Sequence, residues 1–381
     1  MQRYQSLWTD DRRGGLAANR LQKAPQRCTL MCMIRHPSLP PHRRARPSAI
    51  DPAAPATPVP AWLRRTVAGA QPPAGQALGP HALGRHGVDD VAVTAGAAIF
   101  ALDAVVRRQE RWAGAWRQRL ALAAAAVTAK QAGRVEDESA LRDAVLLTRP
   151  GDDVGPAGRL LLAWRRLATR STEDLLTEKN LAAVLEEFDH APDDEVVSDR
   201  VEDLRQLRAG AGTVGMLTGA FIAAERHGFG RALGAWLADA LLAQRLGWAH
   251  AVPLLGAEVA LAMTPGRPRR VATVIAATGV ETEAEHAKGL LAAQARAALR
   301  AVDLFVELER RADRLLGVAP KLRAKAADAV VDKLLSDDAI VASEKIAGMS
   351  DRGLRRLFDR LVELGAVREL SGRPTFRIYG L

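Results

Sequence analysis

From about Val88 onward, apolar residues recur three and four positions apart, and this rhythm persists for roughly 250 residues. No other feature constrains the fold more. Each segment so patterned carries one apolar stripe, and that stripe is stable only when buried against another element. The side chains agree with the spacing. Aromatics make up 4% of the chain, while Ala, Leu and Arg, which lose little on entering a helix, dominate over the β-branched and aromatic residues that strands favour. The expected fold class is therefore all-α in the main, with a multi-helix, bundle-like domain over residues 85–318.

Within that domain the pattern predicts helices over Asp89–Gln109, Gly114–Lys130 and Glu136–Leu147. Pro150–Gly151 then break the chain. Asp152 and Asp153 are placed to cap the next helix, and Pro156 fits its first turn. Further helices are expected over Thr172–Phe188, Glu195–Leu207, Gly212–Arg226, Ala232–Leu246, Pro253–Met263 and Glu281–Leu316. Val271–Val280 is the most strand-like run of this region.

Residues 1–80 read differently. Prolines punctuate them (PSLPP, DPAAPATPVPAW, QPPAGQALGP), and such a composition buries too little apolar surface to offset chain entropy, so a disordered tail is expected. The tail holds Cys28, Cys32, His36 and His42 in fifteen residues. A zinc finger needs a longer span between its ligand pairs, and Pro37, Pro40 and Pro41 stand where its helix would be, so no metal is expected.

Residues 320–381 suggest a second, smaller module. Lys321–Leu335 and Ala339–Ala347 are expected helices, and Ser350 is a suitable cap for a third. In that third helix Leu354, Leu357, Leu361 and Val362 form one stripe, while Arg352, Arg355, Arg356, Asp359, Arg360 and Glu363 point elsewhere. Gly365 ends it. Val367–Leu370 and Thr375–Tyr379 flank Ser371–Pro374 as a hairpin, with Phe376 and Ile378 on one face. Three helices and a ribbon in this order predict a winged helix-turn-helix, whose third helix enters the major groove. Arg352, Arg355, Arg356 and Arg360 on the helix, with Arg373 and Arg377 on the ribbon, are the candidate contacts to double-stranded DNA. A module of this shape also serves as a docking or packing unit, and three acids share the helix with the arginines.

Charge sharpens the choice. Residues 1–60 carry ten Lys/Arg against three Asp/Glu, residues 341–381 carry eight against five, and the middle holds thirty-six of each. Attraction to phosphate therefore has to come from the two ends. Both cysteines lie in the tail, which excludes a disulfide framework and a core thiol nucleophile and points to the cytoplasm. No run is long and apolar enough to suggest a membrane span.

Catalytic patterns are lacking. There is no H-E-x-x-H, G-x-S-x-G or phosphate-binding glycine loop, so neither catalytic residues nor a cofactor are assigned. Asp103, Asp143 and Asp239 fall within apolar helices, where pairing with arginines such as Arg119, Arg142 or Arg165 is expected. Trp112, Trp116, Trp164, Trp236 and Trp248 are expected to fill space between helices. The loop-like segment 151–159 supplies a second-choice site from Asp152, Asp153 and Arg159.

Four blocks carry a family likeness: AGAWRQRLALAAAA, LRDAVLLTRPGDDVGPAGRLLLAWRRLA, LLAQRLGWAHAVPLL and VAPKLRAKAADAVVDKLL. Together they resemble the bacterial family catalogued as domain of unknown function 1403, over roughly residues 85–381. That resemblance implies no activity. The ending RELSGRPTFRIYGL is separately similar to C-terminal helix-turn-helix modules of other bacterial proteins, and this second likeness implies DNA binding. The resulting expectation is a DNA-binding accessory or regulatory protein whose helical domain supplies homodimerisation or ligand sensing. A protein-docking module and an enzyme with a helical active site remain the alternatives.

Overall fold

The computed structural model describes residues 59–68, 87–149, 151–191, 194–210, 212–258, 278–324 and 326–381. Among them are twelve α-helices and one three-stranded sheet, and all the described residues belong to one compact unit. The helices are α1 (Ala61–Ala68), α2 (Val88–Val106), α3 (Ala113–Gln131), α4 (Glu138–Leu146), α5 (Gly155–Thr169) and α6 (Glu178–Glu187). They continue with α7 (Asp194–Gly210), α8 (Thr213–Arg226), α9 (Arg231–Leu246), α10 (Thr278–Val318), α11 (Ala327–Ser336) and α12 (Asp351–Glu363). The strands are β1 (Ile340–Val341), β2 (Arg368–Glu369) and β3 (Ile378–Gly380). No helix among the described residues is long and apolar enough to cross a membrane.

Two of the largest helix contacts are α2 along α10 and α3 along α5, with α8 on α9 beside them. Small residues let the helices approach. Ala121, Ala124, Ala125, Ala163, Ala298 and Ala301 are all buried. The space that alanine leaves is filled by tryptophan, and the buried indoles of Trp116, Trp164 and Trp236 find acceptors, as a desolvated N–H requires. Trp116 Nε1 donates to Ala301 O (2.9 Å), Trp164 to Thr128 Oγ1 (3.0 Å) and Trp236 to Ala163 O (3.0 Å).

Helix ends follow the local chemistry. Asp137 caps α4 by accepting from Ala140 N (2.9 Å), and Gly247, at φ +65°, closes α9 in the left-handed region. Asp153 accepts from Gly155 N (2.9 Å) as α5 begins, with Pro156 in its first turn.

Several expectations change. Residues 59–68, assigned to the disordered tail, include α1, which buries Leu63 and Val67 against α2 and α10. The AWLRRTVA stripe had an apolar partner that its proline-rich flanks concealed. The other tail residues, Cys28, Cys32, His36 and His42 among them, lie outside the described residues. The helix expected from Thr172 starts only at Glu178, because Thr172 is pinned to the 248–250 segment: its N–H reaches Ala249 O (3.0 Å) and its hydroxyl reaches Trp248 O. Of the helix expected over Pro253–Met263, residues 253–254 lie in a buried irregular stretch, Leu255–Ala257 form a 3-10 turn, and residues 259–263 lie outside the described residues. Of the strand-like run, residues 278–280 open α10, and residues 271–277 lie outside the described set.

Gly256 in that 3-10 turn shows how tight the core is. A Cβ there would sit 2.2 Å from Trp164 Cη2, and Trp164 is fully buried. Gly256→Ala is expected to destabilise by at least about 1–3 kcal/mol through overpacking. Gly289→Ala is the contrast: nothing lies within 4 Å of a Cβ at that site in α10, so a gain of about 0.5–1 kcal/mol is expected from helix propensity. Denaturant titration of the two variants checks both signs. Equal effects would remove the packing argument.

Candidate nucleic-acid interface

The C-terminal module is built around α12. Ser350 Oγ accepts from Gly353 N (3.2 Å) to cap its start, and Gly365, at φ +65°, follows its end. Leu354, Leu357, Phe358 and Leu361 are buried as one stripe, with the Phe358 ring stacked on Tyr379 (4.3 Å between centroids, 6° between planes). Val362, expected within the stripe, is 41% exposed.

The expected second helix, Ala339–Ala347, is replaced by strand and turn. Ile340 and Val341 pair antiparallel with Tyr379 and Ile378, and Ala342 N bonds Arg377 O (2.9 Å). Two buried β-branched residues gain more from a strand partner than from one helical turn. The sheet order is β1-β3-β2. In the ribbon the expected alternation fails, because Phe376 takes φ +51° and is 67% exposed. Ile378 and Tyr379 are both buried, one against β1 and the other against α12 as well.

The six candidate arginines divide. Arg352, Arg355 and Arg356 are exposed on the outer face of α12 and have no ion pair among the described residues. Arg360 pairs with Glu363 on its own helix (2.6 Å), and Arg377 lies 3.7 Å from Glu369. Arg373 is committed elsewhere: its guanidinium grips both oxygens of Asp143 in α4 (2.5 and 2.7 Å) and also bonds Phe376 O. The acids Asp351, Asp359 and Glu363 remain on the exposed side of α12.

The second-choice residues do not converge. Asp153 serves as a cap, while Asp152 is exposed and its backbone N–H donates to Arg149 O. Arg159 sits 3.5 Å from Asp189 at an open depression of about 460 Å³ shared with Glu186 and His190.

One organising residue was not singled out from the sequence. Asp338, just before β1, is fully buried between Arg119 of α3 and Arg142 of α4. Arg142 Nε donates to it at 2.6 Å, and Arg119 also reaches its backbone carbonyl (3.2 Å). Gln118 bonds Ser336 O (3.1 Å) and Asp337 (2.8 Å) alongside. Burial pushes the Asp338 carboxyl up, but the two guanidiniums outweigh burial and hold it below the usual carboxylate range. This cluster fastens the C-terminal module to the helical body. The adjacent DD pair was the available signal, though it reads as a surface turn without its partners.

The three intrahelical aspartates resolve differently from one another. Asp103 accepts from Arg107 Nε (2.7 Å) and Trp248 Nε1 (2.8 Å). Asp143 takes Arg373, not Arg119, Arg142 or Arg165. Asp239 has no arginine partner among the described residues. It accepts from the backbone N–H groups of Leu254 (2.7 Å) and Leu255 (3.0 Å) and caps the 3-10 turn. Among the described residues no group of His, Cys, Asp and Glu is placed to hold a metal ion.

These features define a mainly α-helical protein that ends in a small three-stranded sheet and presents an arginine-bearing helix to solvent. The chain belongs to the DUF1403 family, described as a protein of unknown function, which it matches over residues 75–381. No curated protein and no solved structure matches it.

Proposed function

We propose that the protein is a DNA-binding accessory or regulatory factor, with the outer face of α12 as the contact surface to double-stranded DNA. The observation that carries this reading is the exposure of Arg352, Arg355 and Arg356, each without a carboxylate partner among the described residues, on a helix whose opposite face is buried. The order α11, β1, α12, β2, β3 with β3 central supports reading the module as winged-helix-like, a class in which such a helix lies in the major groove. Arg360, Arg373 and Arg377 drop out as primary contacts because Glu363, Asp143 and Glu369 lie against them. The helical body, on this reading, supplies homodimerisation or sensing.

Salt dependence tests the idea. Three arginines on phosphate contribute about −2.7 to the log–log slope, so their share of the affinity should fall about 40-fold between 50 and 200 mM salt. Fluorescence anisotropy on a random-sequence duplex measures both. Combined Arg352→Ala, Arg355→Ala and Arg356→Ala should weaken binding sharply and make the salt slope shallower by about 2.7, whereas unchanged affinity and slope in that variant would reject the interface. The second reading, a protein-docking module, is favoured by Val362, Leu364 and Phe376, apolar and exposed on the same module. It predicts no DNA binding even at low salt.

A further inference from the structure

A cleft of about 350 Å³ opens between the α2–α3 turn and the 247–250 loop, with Ser336 at the end of α11 on its rim. Its volume falls in the range of small-molecule sites. Four charged side chains line it, and three are already answered. Arg107 is paired with Asp103, Arg111 with Asp332 (2.8 Å) and Glu110 with Arg108 (2.9 Å).

Arg117 differs. Its Nε donates to Ala168 O (2.8 Å), which fixes the plane of the guanidinium, yet no carboxylate pairs with it among the described residues. Burial without a counter-charge pulls this guanidinium down to about 10. His250 lines the same cleft and is itself held below the ordinary imidazole value, by burial first and then by the Arg117 charge. The imidazole is therefore neutral near pH 7, offering one donor and one acceptor. The wall is completed by Ala113 and Gly114, the first residues of α3, a helix that starts with no side-chain cap. Its first-turn N–H groups add positive potential at the same place.

We propose that this cleft binds a small oxyanion, a phosphate- or carboxylate-bearing molecule, with the anionic group on the Arg117 guanidinium, flanked by His250 and the first turn of α3. A half-buried cation held in plane by a backbone carbonyl and lacking its own acid among the described residues is preorganised for an anion. The site adjoins Ser336, whose carbonyl accepts from Gln118 beside the Asp338 cluster. The cleft is thus rimmed by the segment that fastens the C-terminal module.

Calorimetric titration of the full chain with inorganic phosphate, at ionic strength held constant with chloride, tests the proposal. A parallel titration with citrate separates phosphate from carboxylate preference. Saturable one-site binding of either anion is expected. Arg117→Met, which keeps the aliphatic stem and removes the charge, should weaken it at least about tenfold. The same titration on the chain lacking Arg352, Arg355 and Arg356 removes any anion held by α12, and binding should persist there. Absence of saturable binding by both anions, or affinity within about threefold in Arg117→Met, overturns the site. Should that variant not fold, crystals of the unaltered chain soaked in tungstate decide. An anomalous peak beside Arg117 supports the site, and peaks elsewhere only, or none, reject it.

Discussion

Asp338→Ala should cost about 3–5 kcal/mol of stability, the loss typical of removing one partner from a buried ion pair. The carboxylate is fully buried, and Arg119 and Arg142 both depend on it. Arg165 lies close enough to feel its charge and that of Arg142, so these guanidiniums would repel one another with Asp337 and, 3.9 Å from Arg142, Glu138 as the acids left nearby. Such a loss is a large fraction of the stability of an ordinary domain. Urea titration should show a marked drop in midpoint, with the C-terminal module released first as Arg373 and Gln118 lose their geometry. A decrease below about 1 kcal/mol would mean that the pair is not what fastens the module.

Acid has the same target. Because the folded carboxyl titrates below its unfolded value, its contribution is fully present above about pH 4 and is lost as pH falls through the lower folded value. Asp338→Asn should flatten the acid limb of the stability–pH curve. An unchanged limb would assign acid lability to other carboxylates.

Asp239→Ala is expected to lose about 2–4 kcal/mol by stranding the N–H groups of Leu254 and Leu255 in a dry interior. Here the pH sign is opposite. Burial drives the Asp239 carboxyl well above the usual range, against the pull of its two backbone donors. The folded state therefore holds a proton that the unfolded chain has released, and stability contributed by this group falls as pH rises from about 4 through the raised folded value. Asp239→Asn keeps an acceptor and cannot ionise, so it should gain on the unaltered protein with rising pH. Parallel pH curves for the two chains would show that the carboxyl is not protonated in the fold.

The helices of the body were legible because their determinants are local. The stripes of α2, α3, α8 and α9 repeat every three or four residues, and their observed ends fall within a few positions of those expected. The caps at Ser350 and Asp153 were legible for the same reason: donor and acceptor are two or three residues apart. Failures came where a distant partner overrode the local pattern. AIVASEKIA fits a helix until β3 offers Ile340 and Val341 a strand. Thr172 would start a helix were it not bound to the carbonyls of residues 248 and 249.

The candidate interface divides along the same line. Its arginine-bearing helix, with one face apolar and the other charged, is written in residues 350–365. Which arginines stay available is not. Arg373 looks like a free wing-tip cation in sequence, yet it meets Asp143 across 230 positions. Arg117 looks like one more charge on an Ala-rich helix, and only the packing of the 247–250 loop turns it into an unpaired cation in a cleft. The sequence by itself determined helix positions, caps and the amphipathic face of α12, since those depend on neighbours within one turn. Only the tertiary structure decided which charges are neutralised, because a Coulombic partner is chosen by distance in space and by the water excluded around it.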